Sequence, residues 1–199
     1  MSKIRYSTLI ERKPEEFISY LEKLSTKDWS EKRDKILKRD KFTCCSCELS
    51  ATAFDNGLMF RDKTEKELED YKKSIANSFY DSVLPEFKSK YDRDVLPSFF
   101  KNLIKKPEQI ILQVHHKYYI LGNLPWDYPD DSLITLCILC HQKLHDDINI
   151  PIYSDITKKV QLEYTKCTTC NGSGYRPEYY YYLNGVCFDC SGNRYIEII

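Results

Sequence analysis

Hydrophobic positions recur at helical spacing near the start of the chain. An apolar stripe runs through residues 14–25 behind Pro14, which suits the first turn of a helix. The stripe consists of Phe17, Ile18, Leu21 and Leu24. The segment of about 28–39 has the same spacing, and its predicted buried residues are Trp29, Ile36 and Leu37. The pattern therefore predicts two successive helices.

The middle of the chain, about 50–109, is charged and mostly helical in pattern. Thr64 and Glu67 fit a capping box, in which each side chain bonds the backbone N–H of the other residue, and they open a predicted helix. Prolines divide the remainder into two further helical pieces, 86–96 and 98–106. We interpret the whole segment as a helical insertion with a solvated surface.

Two strand patterns and one more helix follow. Residues 110–116, "IILQVHH", and residues 132–137, "SLITLC", are typical of strands, and a loop with glycine and prolines separates them. The helix begins within "CHQKLHDD". Nearer the C-terminus, Asn184-Gly185 predicts the tight turn of a hairpin. These elements together predict an α+β fold.

The composition, 42% hydrophobic and 30% charged in 199 residues, is typical of a soluble globular protein of one or two domains. Basic and acidic residues both number 30, so any phosphate-binding surface has to be a local patch. The charged N-terminus lacks an apolar core of signal-peptide length, and no apolar run approaches the ~20 residues that span a bilayer. We therefore expect a cytoplasmic protein that does not bind membranes.

Eight of the nine cysteines form four C-x-x-C pairs, and Cys45 is left over. Two thiols at this spacing point at one centre, which in a reducing cytosol binds zinc or performs redox chemistry. Redox motifs normally come singly, whereas four pairs make two complete tetrahedral sets. We expect two structural Zn²⁺ ions. The first set is Cys44, Cys47, Cys137 and Cys140, and the second is Cys167, Cys170, Cys187 and Cys190.

All four histidines lie in one window of the sequence. His141 and His145 are four residues apart, so they share a face of the predicted helix. His115 and His116 are adjacent on a predicted strand and point to opposite sides of it. One of this second pair can join the helix pair on a metal ion while its neighbour faces a substrate. Three histidine ligands leave the open coordination positions that a catalytic metal requires.

The blocks "ILKRDKFTCCSC", "LQVHHKYY" and "DDSLITLCILCHQKLH" resemble, in this order, those of the HNH endonucleases, a ββα-metal family with treble-clef architecture. The resemblance covers about 28–60 and 110–148. It implies a metal-dependent endonuclease that hydrolyses phosphodiester bonds of nucleic acid, most often DNA. It also implies His116 as the general base that activates water. His115, His141 and His145 would hold one catalytic divalent cation, which could be Mg²⁺, Mn²⁺, Ni²⁺ or Zn²⁺.

The sequence departs from that family in two places. Where the family has an asparagine that orients the base histidine, this chain has Ser132, which we therefore expect to assist His116 in catalysis. Asp131 or Asn123 could take the same role. The spacer between the first cysteine pair and the His-His strand is also far longer than in the family, because it contains the predicted helical insertion.

An internal repeat, "CTTCNGSGY" and "CFDCSGNRY", resembles the C-x-x-C-x-G-x-G knuckles of the DnaJ-type zinc-binding domain. We expect Asn193 to occupy the position of a glycine in the second repeat. The tyrosines of "EYYYYLNG" between the knuckles could stack on bases, but packing on the protein is favoured, since few basic residues accompany them. The predicted organisation is a nuclease domain, 1–150, and a C-terminal zinc-knuckle module, 151–199.

The expected function is that of an HNH endonuclease with nucleic acid, chiefly DNA, as its partner. The alternative is a catalytically weak or inactive zinc-binding module that recognises nucleic acid or protein. A thiol oxidoreductase would leave the histidines unexplained. Because the formal net charge is zero, a protein partner or a homo-oligomer is a further expectation for delivery to nucleic acid.

Overall fold

The computed structural model describes residues 3–14, 18–91, 93, 95, 107–179, 181–182 and 185–198. The chain has a mixed α+β fold and divides into two compact units. The main unit contains residues 1–50 and 112–199, and the insertion unit contains residues 51–111. Within the described residues, no helix has both the length and the apolar character needed to cross a membrane.

Three helices form the N-terminal part of the main unit. They are α1 (Tyr6–Arg12), α2 (Tyr20–Leu24) and α3 (Lys27–Arg39). The helix predicted over 14–25 corresponds to α2, and its predicted start at Pro14 is wrong. Helix α2 begins after Ser19, whose side chain forms a capping box with Glu22. Residues 15–17 of that prediction lie outside the described part of the chain. The prediction for α3 is confirmed, and its three predicted residues are buried.

The insertion unit contains a sheet that the sequence did not predict. Its strands are β1 (Ala53–Asp55), β2 (Leu58–Arg61) and β3 (Glu108–Ile110), and all pairs are antiparallel. The prediction of a helical insertion is therefore wrong for these strands and right for the helix between them. Helix α4 (Glu65–Ser82) begins with the predicted capping box of Thr64 and Glu67. A 3-10 helix, Pro85–Lys90, replaces the first of the two smaller predicted helices, while the second, 98–106, lies outside the described residues.

The core of the main unit is a two-stranded antiparallel sheet and a helix. Strand β4 (Leu112–His116) pairs with β6 (Leu133–Cys137), and helix α5 (Ile138–Asp147) follows β6 directly. A second small sheet comprises β5 (Tyr119–Ile120), β7 (Ile152–Tyr153) and β8 (Gln161–Leu162). The predicted strand–strand–helix order is confirmed. The strand predicted over 110–116 is interrupted at Ile111, where the chain passes from one unit to the other.

Two apolar clusters hold the main unit together. The first joins α3 to the central sheet, and its buried members are Ile36, Ile120, Tyr128 and Leu133. Full burial of an aliphatic side chain such as Ile36 or Leu133 stabilises the fold by about 1.5–3 kcal/mol each. The second cluster ties the C-terminal segment to the same unit, with Tyr119, Ile150, Ile152 and Tyr195 as buried members.

Candidate metal centres and the histidine cavity

The first cysteine set converges at the junction of α3, β6 and α5. Cys44 and Cys47 lie in a turn that follows α3, and the backbone N–H of Cys45 in this turn donates to the Thr135 carbonyl of β6 at 2.8 Å. Cys137 ends β6 and caps α5, where its Sγ accepts a hydrogen bond from the Cys140 N–H at 3.5 Å. Sequence positions that are 90 residues apart, Cys47 and Cys137, thereby come into contact.

The sulfur geometry of both cysteine sets fits zinc. Four sulfurs at ~2.3 Å from one Zn²⁺ in a tetrahedron lie about 3.8 Å apart, whereas a disulfide would bring two of them to ~2.05 Å. The Cys47 and Cys137 sulfurs are 3.7 Å apart. In the second set the Cys167–Cys187 and Cys170–Cys190 distances are 3.8 and 3.7 Å. All nine cysteines are free thiols, and each set of four can hold one Zn²⁺ ion.

The second cysteine set, unlike the first, is buried at all four positions. Backbone N–H groups of Gly174 and Arg194 donate to the sulfurs of Cys170 and Cys190 at 3.2 and 3.3 Å. The Cys190 thiol and the Gly174 N–H together lower the pKa of Cys170 to about 5, which favours the thiolate that zinc requires. The predicted hairpin turn at 184–185 includes Asn184, which lies outside the described residues.

Three histidines converge in the same unit. Nε2 of His141 lies 3.1 Å from Nδ1 of His115 and 3.2 Å from Nε2 of His145. These nitrogens come from the central strand β4 and from two successive turns of α5, as the i, i+4 spacing predicted. One ligand nitrogen from each residue lies within 4.8 Å of the others, so the set could hold a metal ion.

Burial favours the neutral form of the three histidines. It is the largest cause that lowers the pKa of His115 to about 2, and the neighbouring histidines and Arg194 act in the same direction. Burial and the charge of Arg194 lower the pKa of His141 to about 4, and burial chiefly lowers that of His145 to about 3. A neutral imidazole has one lone pair, and three converging lone pairs are a donor set suited to a divalent transition metal or zinc.

His116 lies on the other face of β4, apart from the three-histidine cluster. Its ring stacks on Trp29 at a centroid distance of 5.3 Å and meets the edge of Tyr128 at 4.7 Å. Nε2 of His116 is 2.8 Å from the Pro125 carbonyl, and because a carbonyl only accepts, Nε2 carries the hydrogen. The lone pair is therefore on Nδ1. Burial is also the main reason that the pKa of His116 falls to about 3, so this ring is neutral as well.

Ser132 bonds to the loop backbone before β6. Its hydroxyl donates to the Pro129 carbonyl at 2.7 Å and closes the short 3-10 helix before β6. In the same loop the Pro125 carbonyl contacts His116, and this backbone group leaves no side-chain signal in the sequence. The expected assistance of Ser132 to His116 through the loop stays a prediction.

A cavity of about 230 Å³ opens beside the histidines. All four histidines line it, as do Trp29 and Arg33 of α3 and Arg194 of the C-terminal repeat. Arg33 donates through Nη2 to the Leu112 carbonyl at 2.9 Å, which fixes α3 against the start of β4. Neither arginine was among the predicted site residues. The sequence does contain a signal for Arg194, because this residue stands at the last glycine position of the C-x-x-C-x-G-x-G pattern.

The glycine position of the second repeat is occupied by Arg194, and the assignment of Asn193 to it is wrong. Counting from the last cysteine, Gly174 is the fourth residue after Cys170 and Arg194 is the fourth after Cys190. The backbone agrees, since φ is 71° at Gly174 and 74° at Arg194. Asn193 is instead equivalent to Ser173.

Comparison of the chain with protein-family models, with characterised proteins and with solved structures gives no match. The function is therefore argued from the residues of the cavity and their chemistry.

Proposed function

We propose that the chain is a metal-dependent endonuclease of the HNH type, built on a treble-clef ββα core, which hydrolyses phosphodiester bonds of nucleic acid, preferably DNA. The observation that carries the proposal is the arrangement of the four histidines around one cavity. Three of them converge on a single point, while His116 is held separately by Pro125 with its Nδ1 lone pair free of that contact. A purely structural zinc module has no need of this arrangement.

The chain's own residues account for proton transfer in such a reaction. Hydrolysis requires a water molecule to lose a proton as its oxygen attacks phosphorus and the bond to the leaving oxygen breaks. Nδ1 of His116 is the acceptor in this proposal, because Nε2 already donates to the Pro125 carbonyl. The stacked ring of Trp29 and the edge of Tyr128 fix the plane of the imidazole. The negative charge of a bound phosphodiester would raise the pKa of His116 toward the working range of a base.

A divalent cation would be held by His115, His141 and His145, and it would supply Lewis-acid neutralisation of the charge that develops on the phosphate. The histidine donors favour Ni²⁺ or Zn²⁺ over Mg²⁺. Each cysteine set supplies four ligands, which would fill the tetrahedral coordination of a zinc ion and leave no position for a substrate, so their role in this proposal is structural.

We expect His141→Ala to lose the third metal ion and to keep the other two. The Nε2 atom of His141 lies next to a ring nitrogen of each of the other two histidines. Substitution of a residue that only supports a metal ligand typically weakens metal affinity about 10–100-fold. Removal of the ligand itself should therefore weaken the affinity by roughly 100-fold or more. Equilibrium dialysis with Mn²⁺, followed by elemental analysis, measures this. Retention of the third ion at wild-type affinity would remove the three-histidine site from the proposal.

The function is tested with full-length protein purified without chelator. Supercoiled plasmid, single-stranded DNA and single-stranded RNA are incubated separately with Mg²⁺, Mn²⁺, Ni²⁺ or Zn²⁺. We expect nicking of DNA with at least one of these ions. A brief treatment with EDTA should abolish the nicking and leave the two cysteine-bound zinc ions in place, and added metal should restore it. Absence of cleavage of all three substrates with all four ions would leave the alternative, a binding module.

A further inference from the structure

The C-terminal repeat places an arginine where its own pattern has a glycine. The two halves have matching backbones, with φ values of 49° at both Asn171 and Ser191 and of 77° and 79° at Gly172 and Gly192. At the last position Gly174 and Arg194 both lie in the left-handed region, and both donate their N–H to a cysteine sulfur. Glycine adopts this conformation freely, whereas other residues populate it sparsely. An arginine here has a conformational cost that a glycine would avoid.

The side chain of Arg194 is buried, and no carboxylate of the described residues forms an ion pair with it. Only 9% of the residue is exposed, and its Nε has no hydrogen-bond partner. The guanidinium lies between two aromatic rings, 3.7 Å from the centroid of Tyr119 and 4.2 Å from that of Tyr20. Burial acts against its positive charge, and the described groups that favour that charge and raise its pKa are neighbouring tyrosines. A buried guanidinium remains charged, so it is stabilised when an anion completes its surroundings.

The Arg194 side chain lies beside the histidines. Arg194 lines the same cavity as all four of them, and its charge contributes to the lowered pKa of each. The glycine at position 174 leaves room for the Arg194 side chain. A Cβ on Gly174 would lie only 2.9 Å from Cγ of Arg194. Arg33 adds a second guanidinium to the same wall. The cavity thus joins two positive side chains to a set of neutral metal-ligand nitrogens.

We propose that Arg194 is a phosphate-binding residue, whose guanidinium holds the non-bridging oxygens of the substrate inside the histidine cavity. The planar fork of arginine matches two phosphate oxygens, and a desolvated site strengthens that contact. The identification of the phosphate as part of a diester rests on the function proposed above. The C-terminal zinc module is then a part of the active site, which it reaches through one residue at its glycine position.

Arg194→Gly tests the proposal without imposing new backbone strain. The substitution restores the residue of the first repeat, so the second cysteine set should keep its zinc. Arg194→Lys keeps the charge but loses the fork. Inorganic phosphate is titrated by calorimetry into each protein, with the structural zinc in place and no other divalent ion. We expect Arg194→Gly to weaken phosphate binding roughly 10–100-fold and Arg194→Lys to have an intermediate effect.

A matched control is available in the same module. Arg176 belongs to the first half of the repeat region and forms an ion pair with Glu178 at the surface, outside the cavity. Arg176→Gln therefore removes the same unit of charge from the module, and we expect unchanged phosphate affinity. The metal content and the thermal unfolding of each variant are measured in parallel. If the role of Arg194 were purely structural, its substitution would lower stability and leave phosphate affinity unchanged.

The outcomes separate the two proposals. Equal phosphate affinity in the wild-type protein, Arg194→Gly and Arg194→Lys overturns the role of Arg194, even if the wild-type protein cleaves DNA. Cleavage by Arg194→Gly at the wild-type rate overturns it as well. If the wild-type protein binds phosphate through Arg194 but cleaves no nucleic acid, the anion site stands and the nuclease function fails.

Discussion

Cys44→Ser is expected to unfold the main unit and to reduce the zinc content from two ions per chain to at most one. Cys44 is fully buried, and its set joins α3 to β6 and α5. Structural zinc contributes apparent binding free energies of about 10–16 kcal/mol in zinc-finger peptides, and the whole free energy of unfolding of a domain is about 5–15 kcal/mol. Thermal unfolding should therefore lose its cooperative transition. Circular dichroism and elemental analysis measure the two effects.

The neighbouring residue supplies the control for this experiment. Cys45 is exposed and belongs to neither cysteine set, and its contact with Thr135 is made through the backbone. Cys45→Ser should leave two zinc ions and change the free energy of unfolding by less than about 0.5 kcal/mol. If Cys44→Ser kept both zinc ions and wild-type unfolding, the first cysteine set would not be a zinc site.

His116→Gln is expected to lower the rate of DNA cleavage by about 10²–10⁴-fold while both cysteine-bound zinc ions remain. The glutamine amide reaches the position of Nε2 and can still donate to the Pro125 carbonyl, but it cannot accept a proton from water. The smaller side chain leaves space next to Trp29, so a loss of roughly 1–2 kcal/mol in stability accompanies the change. Single-turnover cleavage assays measure the rate, and phosphate calorimetry should show unchanged binding.

Tyr128→Phe is the control that distinguishes a loss of proton transfer by His116 from a general loss of packing around it. The Tyr128 ring contacts His116, while its hydroxyl accepts a hydrogen bond from the Ile120 N–H at 2.9 Å. Removal of that hydroxyl leaves a buried N–H unsatisfied and should cost about 1–3 kcal/mol. Its cleavage rate should stay within a few-fold of wild type. Equal losses of rate in both variants would mean that the loss reflects damaged packing, and His116 would cease to be the proposed base.

Much of the main unit follows from short-range sequence signals. The helix over Lys27–Arg39, the strand Leu133–Cys137 and the helix after it were all predicted, because apolar periodicity and the cysteine spacing agree there. The His141–His145 pair was predicted from its i, i+4 spacing, and the family resemblance selected His115 as the third member of the set. In such regions, local preference and tertiary packing favour the same structure.

The errors have physical causes of two kinds. The three strands of the insertion unit are only 3 or 4 residues long and mostly exposed, so they have no buried face to create an alternating pattern. Asn56-Gly57, with φ values of 47° and 80°, was the available signal for their hairpin. In the site, the contact to His116 comes from a backbone carbonyl, which any residue could supply. The expectation for Ser132 came from the family resemblance, which places an asparagine at that position.

The two ends of the insertion unit are anchored at the first cysteine set. Ser50 bridges to Thr43, next to Cys44, and Leu112 pairs with Cys137. A zinc ion in this set would fix the points where the chain leaves and re-enters the main unit, and the entropy of closing the intervening segment grows only logarithmically with its length. We therefore expect the main unit to fold when residues 51–111 are replaced by a reporter domain of different length.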